Sequence, residues 1–312
     1  MLHIHRRYPR LTLPSAPALA IGNFDGVHLG HQAVIAALHA RAETLGLTPM
    51  LMSFFPHPRA VINKKEPPLI TPLRDRAHWL AHYGVTHWTL RSFTQALRQS
   101  SPEDFVQEYL LADLGVKHLL VGDDFRFGYR GRGDFALLQA MADKGGYTVE
   151  SMDSVCTTDG ERISSSAIRE AVDRHNLTRA RALLGHGLTY TGRVRHGAKR
   201  GRSMNTPTAN IHVPNAWCLP DGVYVVKIQV LSAAQSVWGV ANLGVAPTFA
   251  GQQRKLEVHA FSPLGEVYGA LLRVEMVEFL REERCFADST TLQAQIKQDI
   301  AHAQALIAQY QH

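Results

Sequence analysis

Two histidines with a two-residue gap, His28 and His31, sit in the run Gly22-Asn23-Phe24-Asp25-Gly26-Val27-His28-Leu29-Gly30-His31. The run follows an apolar, strand-like segment, Ala18 to Ile21, and opens an amphipathic stretch from about Gly30 to Leu45. A helix start in that position offers unpaired N–H groups and the positive end of a dipole to phosphate. Gly26 and Gly30 let the backbone turn tightly and approach a ligand closely. Two imidazoles so spaced can hydrogen-bond phosphate oxygens and stabilise the charge that develops during in-line displacement. The chain has 17 histidines, so the pair alone also fits an incidental turn. Its place between strand and helix selects the phosphate reading.

Three further segments carry compatible groups. Ser53-Phe54-Phe55-Pro56-His57-Pro58 ends a second strand-like run. Gly122-Asp123-Asp124-Phe125-Arg126-Phe127-Gly128 offers aromatic faces for a flat heterocycle and an arginine for phosphate. Taken alone it also reads as a turn between strand and helix. Ile163-Ser164-Ser165-Ser166-Ala167-Ile168-Arg169 reads as a helix cap, which does not exclude phosphate binding.

A second set lies toward the C-terminus. Arg193, Arg195, Lys199, Arg200 and Arg202 are threaded with glycines, and the stretch from Gly197 to Gly201 can cradle phosphates. It precedes Pro207-Thr208-Ala209-Asn210, whose Thr208 hydroxyl and Asn210 carbonyl are hard oxygen donors suited to Mg²⁺. Glu257 lies on an apolar strand-like run. A carboxylate with an ordinary pKa of about 4.3 is ionised at neutral pH and can take a proton from a hydroxyl. Separately, each has a plain reading: a loop for Pro-Thr-Ala-Asn, a lysine partner for Glu257, a solvated face for Arg281 and Arg284.

The elements that must position these groups fall into two textures. Up to Met152, strand-like runs (18–21, 49–54, 87–90, 118–121, 148–152) alternate with helical ones (30–45, 74–83, 101–114, 135–144). Alternation of this kind predicts a parallel sheet with helices on both faces and ligands at the carboxyl ends of its strands. From about Leu184, short β-rich runs at 192–194, 222–230, 237–243, 256–261 and 271–279 predict an antiparallel barrel. A final helix over Ser289 to Tyr310 carries Leu292, Ile296, Ile300 and Ile307 on one face, capped by Asp288 or Ser289. The fold class is therefore α/β: a Rossmann-like parallel-sheet domain over 1–183 and a β-barrel domain with a terminal helix over 184–312.

Length and composition agree with two domains. The chain has 312 residues, 45% of them hydrophobic, enough for two cores. The net charge of +6 suits anionic partners. Its glycine-threaded basic loop fits a nucleotide phosphate better than a duplex backbone. Three dispersed cysteines, 156, 218 and 285, argue for a reducing compartment. The N-terminal residues lack the apolar core of a signal peptide, and no apolar run approaches the ~20 residues of a spanning helix. A cytoplasmic protein acting on small molecules, without nucleic acid or membrane partners, is expected.

GNFDGVHLGHQ resembles the HIGH-type nucleotidylyltransferases, and their FAD synthetase branch closely. SFFPHP is similar to that branch's strand-end segment near nucleotide and flavin, GDDFRFG to its flavin loop, and ISSSAIR to its SSTxIR segment. The C-terminal part resembles riboflavin kinase, through GRVRHG, Gly201-Arg202, PTAN, PDGVY, GVANLG, Leu256-Glu257-Val258-His259 and the segment Arg281-Glu282-Glu283-Arg284-Cys285-Phe286. The resemblance spans about Leu19 to Ile307. It implies phosphorylation of riboflavin to FMN and adenylylation of FMN by ATP to FAD with release of pyrophosphate. It implies ATP contacts at Gly22, Asn23, Phe24, Asp25, Gly30, Ser164, Ser165, Ser166, Gly197, Gly201 and Arg202. Flavin contacts are implied at Phe55, Pro56, His57, Pro58, Asp124, Phe125, Arg126, Phe127, Arg281 and Arg284. His28, His31 and Arg169 would meet phosphates, Thr208 and Asn210 would meet Mg-ATP, and Glu257 would be the base.

Departures from the family pattern are few. Ser166 stands for a threonine, and Asp75-Arg76 for a Glu-Lys pair that keeps the charges. Asn205 and Thr206 replace a glycine and an aromatic before PTAN. The last change motivates one alternative, an FAD synthetase with an impaired kinase domain. A HIGH-type transferase for another acceptor would leave GDDFRFG and the kinase-like half unexplained. A flavin- or RNA-binding regulatory module would not need His28, Arg169, Thr208, Asn210 and Glu257 together.

Overall fold

The computed structural model describes residues 1–6, 13–195, 208–233, 235–248 and 251–309. Two compact units divide the chain, Met1–Pro67 with Arg76–Ser164, and Pro68–Asp75 with Ser165–His312.

In the first unit, strands β1 (His3–His5), β2 (Pro17–Ile21), β3 (Thr48–Phe55), β4 (His87–Ser92), β5 (His118–Gly122) and β6 (Thr148–Met152) form one sheet in the order β1-β4-β3-β2-β5-β6. Every neighbouring pair is parallel. All five residues of β2, Pro-Ala-Leu-Ala-Ile, are buried, as a strand covered on both faces requires. Leu19, Met50, Met52, Leu119 and Val121 share a core cluster with Val106, Leu110 and Leu138. Helix α1 (Leu29–Leu45) buries Ile35, Leu38 and Ala42 and stops at Gly46, whose φ of 64° suits a residue without a Cβ. Helices α2 (Pro58–Asn63), α3 (Leu73–His82), α4 (Gln95–Gln99), α5 (Pro102–Asp104) and α6 (Phe135–Gly145) complete the connections. β2 has β3 on one side and β5 on the other, so the strand order reverses at β2.

The expected helix over 101–114 differs in detail. Ser101 caps α5 through Asp104 N, but Phe105–Ala112 continues as a π-helix, with Asp113 N bonded to Glu108 O at 3.0 Å. Phe105, Val106 and Leu110 of this segment are all buried.

The second unit holds α7 (Ser165–Asp173), α8 (Leu177–Leu184), β7 (Leu188–Arg195), β8 (Ala209–His212), β9 (Gly222–Val230), β10 (Ser236–Thr248), β11 (Gly251–Ala260), β12 (Leu271–Arg281) and α9 (Ser289–Gln309). Its six strands close into a barrel in the order β10-β11-β8-β7-β12-β9. Buried Tyr224, Val226, Ile228, Leu243, Leu256, Val258, Leu272 and Val274 follow the period of two that one barrel face demands. On the other face Val225, Val240 and Val277 pack with Ala303 and Ile307 of α9. Asp288 caps that helix through Thr291 N at 2.8 Å. Among the described residues no helix is long and apolar enough to cross a membrane.

The segment 68–75 is a strap bound into this barrel unit. Leu69 N bonds Ala216 O at 2.6 Å, Cys218 N bonds Leu69 O at 2.8 Å, and Trp217 Nε1 bonds Ile70 O at 3.2 Å. Its last residue, Asp75, is fully buried. The carboxylate accepts from Thr191 N at 2.9 Å, Thr191 Oγ1 at 2.7 Å and Thr189 Oγ1 at 3.3 Å. Burial still pushes its pKa up, against those bonds and the Arg273 charge. Hydrogen bonds to a charged acceptor contribute about 1.5–3 kcal/mol, and buried donors left unmatched cost a similar amount. Asp75→Ala is therefore expected to lower the unfolding free energy of the barrel unit by about 2–3 kcal/mol in urea titration, and Asp75→Asn by less.

Candidate active sites

Three motif segments leave the carboxyl ends of adjacent strands in the first unit: SFFPHP from β3, GNFDGVHLGH from β2 and GDDFRFG from β5. They converge on the place where the strand order reverses, the expected ligand position in an open parallel sheet.

The β2 turn is strained and firmly tied. Phe24 and Val27 have φ of 50° and 43°, and Gly26 has 90°. A β-branched residue in the left-handed region is costly unless its surroundings enforce it. Arg76 supplies part of that enforcement. It donates to Asn23 O at 3.0 Å and pairs with Asp25 Oδ1 at 3.1 Å, with both side chains almost wholly buried. Gly22 bonds Met52 O through its N–H, and its carbonyl accepts from Ser53 Oγ at 2.7 Å. Trp88 Nε1 in turn donates to Ser53 Oγ at 2.9 Å.

His28 occupies the N-cap of α1, where its Nδ1 accepts from His31 N at 3.3 Å. The two rings stack with centroids 3.6 Å apart and planes 18° from parallel. A Cβ on Gly30 would press on the His28 ring at 3.2 Å, so glycine keeps that ring in place. Desolvation, then the His28 and Arg76 charges, hold the His31 pKa well below its ordinary value. His31 is thus neutral at pH 7, and its Nδ1 is buried without a hydrogen-bond partner among the described residues. Imidazole donors at a helix N-terminus can bind and stabilise phosphate oxygens.

The flanking loops divide their residues between structure and surface. Phe55 is 56% exposed, the Phe55–Pro56 bond is cis, and His57 caps α2, which Pro58 opens, by accepting from Arg59 N. Asp123 accepts from Ser154 Oγ at 2.9 Å, and Asp124 pairs with Arg162 at 2.6 Å. Phe125 is half-buried and stacks on Phe127 at 5.5 Å, whereas Phe127 is buried in the core beside Phe105. Arg126 is exposed. Ile163 and Ser164 end the first unit. Ser165, Ser166 and Arg169 lie on α7 in the second, where Arg169 Nε donates to Pro68 O at 2.6 Å.

In the barrel unit, Thr208 directly precedes β8, and Asn210 on β8 stands opposite Glu257 on β11. Thr208-Ala209-Asn210 thus leads into a strand. β8 comes close to β7 because Gly192 is there, since a Cβ would collide with Ile211. Glu257 is ion-paired with Lys255. Asn210 is in register with this carboxylate and Thr208 lies two residues earlier in the chain; an amide and a hydroxyl oxygen are donors that fit a hard divalent cation shared with phosphate. Among the described residues no three His, Cys, Asp or Glu side chains gather into a metal cage. Arg281 makes a two-pronged pair with Asp299 of α9, at 2.9 and 2.7 Å, which anchors that helix. Arg284 is exposed. Gly197, Gly201, Arg202, Asn205 and Thr206 lie outside the described residues.

Sequence reasoning passed over Arg76, Ser53 and Trp88 as supports of the β2 turn. Asp75-Arg76 keeps its charges in the family pattern, and only burial reveals that each charge is used.

Comparison with known proteins assigns both halves. The family model described as FAD synthetase matches residues 12–167, and the one described as riboflavin kinase matches 184–307. A bifunctional riboflavin kinase/FMN adenylyltransferase of Pseudomonas fluorescens is 41% identical over 293 residues, 94% of this chain and 93% of the relative. Proteins of the same name from Escherichia coli K12 and Bacillus subtilis 168 are 38% and 37% identical, covering 90% and 96% of each chain. A crystal structure titled as a macrolide-efflux protein from Streptococcus pneumoniae superposes with a TM-score of 0.78 at 29% identity, covering 92% of this chain and 93% of that one. The likeness speaks here for the fold. With both catalytic domains present, the chain belongs to the family of bifunctional riboflavin kinase/FMN adenylyltransferases.

Proposed function

We propose that the two activities are divided between the two halves, with FMN adenylylation in residues 1–183 and riboflavin phosphorylation in 184–312. The observation that carries this is the pair of separate polar sites: the stacked His28–His31 pair at the reversal of a parallel sheet, and the Asn210–Glu257 pair on a barrel.

In adenylylation the FMN phosphate attacks the α-phosphorus of ATP. The nucleophile is already an anion, so positioning and charge stabilisation suffice. His28 and His31 bind the phosphates, and Gly22 to Asp25 and Gly30 shape the backbone around ATP; the family pattern assigns further phosphate contacts to Ser164, Ser165, Ser166 and Arg169. Phe55 to Pro58 and Asp124 to Phe127 form the flavin side. With Phe127 in the core, the half-buried Phe125 is the ring left for stacking.

In phosphorylation Glu257 takes the proton from the ribityl hydroxyl as that oxygen attacks the γ-phosphorus of ATP. The Lys255 ammonium holds the carboxylate in place. Thr208 and Asn210 would hold Mg²⁺, which supplies charge neutralisation to the ATP phosphates. Gly197, Gly201 and Arg202 cradle those phosphates, and Arg281 and Arg284 border the flavin, Arg281 through its hold on α9. The basic balance serves these anionic small molecules, in the cytoplasm, with no nucleic acid or membrane partner.

Product analysis with riboflavin, ATP and Mg²⁺ tests the whole reading. FAD formed through FMN is expected, and FMN converted to FAD while riboflavin stays untouched would point to the Asn205–Thr206 departure. His28→Ala or His31→Ala is expected to lower FMN adenylylation by about 10²–10³-fold and leave riboflavin phosphorylation intact. Glu257→Gln should do the reverse, lowering phosphorylation by roughly 10²–10⁴-fold. The depressed His31 pKa also sets a direction. The unfolded chain binds the extra proton, so this stability is present above about pH 6.5 and is lost as pH falls below it. Thermal unfolding of His31→Gln between pH 7 and pH 5 should show a shallower acid limb than wild type.

A further inference from the structure

Asn242, on the face of β10 that carries Val240, is a polar side chain to which no role is given above. Asn242 stands directly opposite Glu257, as Asn210 does from the other side, so Asn242, Glu257 and Asn210 form a row across β10, β11 and β8. Directly opposed residues of antiparallel strands share a face with Cβ atoms about 4.5–5.5 Å apart. One end of the Asn242 amide is fixed: Nδ2 donates to Glu283 Oε1 at 3.1 Å. Glu283 comes from the segment after β12 and lies over Gly244, where any Cβ would collide with its carboxylate. Turning the amide over would set Oδ1 against that carboxylate, so Glu283 determines which end is acceptor and which is donor. The other end, Oδ1, is shielded from water and has no hydrogen-bond partner among the described residues. A desolvated acceptor without a donor is unfavourable, and such an atom in a catalytic row points to a donor that arrives with the substrate.

We infer that Asn242 is a substrate-orienting residue of the kinase reaction. Its Oδ1 accepts a hydrogen bond from a ribityl hydroxyl beside the one that Glu257 deprotonates, and Glu283 is the positioning residue that holds the amide. The ribityl chain presents a hydroxyl on successive carbons, so two acceptors one strand apart can fix its rotation as well as its reach. Selectivity follows, because a site built around a hydroxyl rejects an analogue that leaves its acceptor unmatched. The inference rests on the role proposed for Glu257.

The test is steady-state riboflavin phosphorylation, with FMN adenylylation and the ATP KM measured on the same preparations. Asn242→Leu is expected to lower kcat/KM for riboflavin by about 10- to 100-fold while the ATP KM and adenylylation stay within about twofold of wild type. Asn242→Asp sets two carboxylates face to face and should lose a similar factor. Adding Glu283→Gln to Asn242→Asp restores a donor facing an acceptor, and should recover activity to within about threefold of wild type. A flavin lacking the hydroxyl next to the phosphorylated position should be a poor substrate for wild type and no poorer for Asn242→Leu. The inference is overturned if Asn242→Leu keeps wild-type kcat/KM, if the double variant is no better than Asn242→Asp, or if the deoxy substrate shows the full Asn242→Leu loss. A wild-type protein that forms no FMN, or a Glu257→Gln variant with full activity, would instead overturn the kinase assignment beneath it.

Discussion

Two consecutive charged side chains, Asp75 and Arg76, are both taken out of water, and much of the molecule is arranged to satisfy them. Charges in a poorly hydrated interior are tolerated only when paired and hydrogen-bonded. Arg76 is answered by Asp25 and the carbonyl of Asn23, which locks the turn that presents the histidines. Asp75 is answered by Thr189 and Thr191 at the start of β7, which locks the strap to the barrel. Since the two residues are neighbours in the chain, one peptide unit feeds two separate polar networks.

The two reactions make different demands, and the two folds answer them differently. Adenylylation starts from an anionic nucleophile. It needs fixed donors and no strong base, and a parallel sheet supplies them by bringing three loops to one edge. His31, kept neutral by burial, can donate without drifting in charge near pH 7. Phosphorylation starts from a neutral hydroxyl and needs a carboxylate. Glu257, the carboxylate proposed for it, lies on a strand whose neighbours place Asn242 and Asn210 in register with it. Strand register holds such a row more rigidly than loops could, because a one-residue slip would turn every member to the opposite face.

Much of this arrangement is legible in the sequence. The run from β2 into α1 announces itself because strand, glycine turn and helix follow one another in the spacing that phosphate binding requires. The barrel strands β9 and β12 emerge from β-branched periodicity, and Asp288 from its place before α9. Other parts are hidden for definable reasons. Phe125 and Phe127 have the same residue type two positions apart, yet only contacts show that the second ring belongs to the core. Arg281 resembles a free cation until Asp299, 18 residues later, folds back on it. β1 consists of three residues, His-Ile-His, whose alternation is too short to register, although they pair with β4 and His5 meets His87 at 3.1 Å. The π-helical turn after α5 leaves no compositional trace.

The strap also bears on modularity. A chain assembled from two ancestral enzymes could be separated again at the linker, were the halves self-contained. Here a stretch encoded well within the first half contributes Leu69 to backbone pairing in the second unit, the Ile70 carbonyl to the Trp217 indole and Asp75 to two threonines. A gene fragment beginning at residue 165 or 184 would leave the Ala216 carbonyl without its donor, and the Cys218 N–H, the Trp217 indole and both threonine hydroxyls without their acceptors. The continuity of this polypeptide is thereby structural as well as genetic, and recombination that exchanged one half would have to carry eight residues of the other with it.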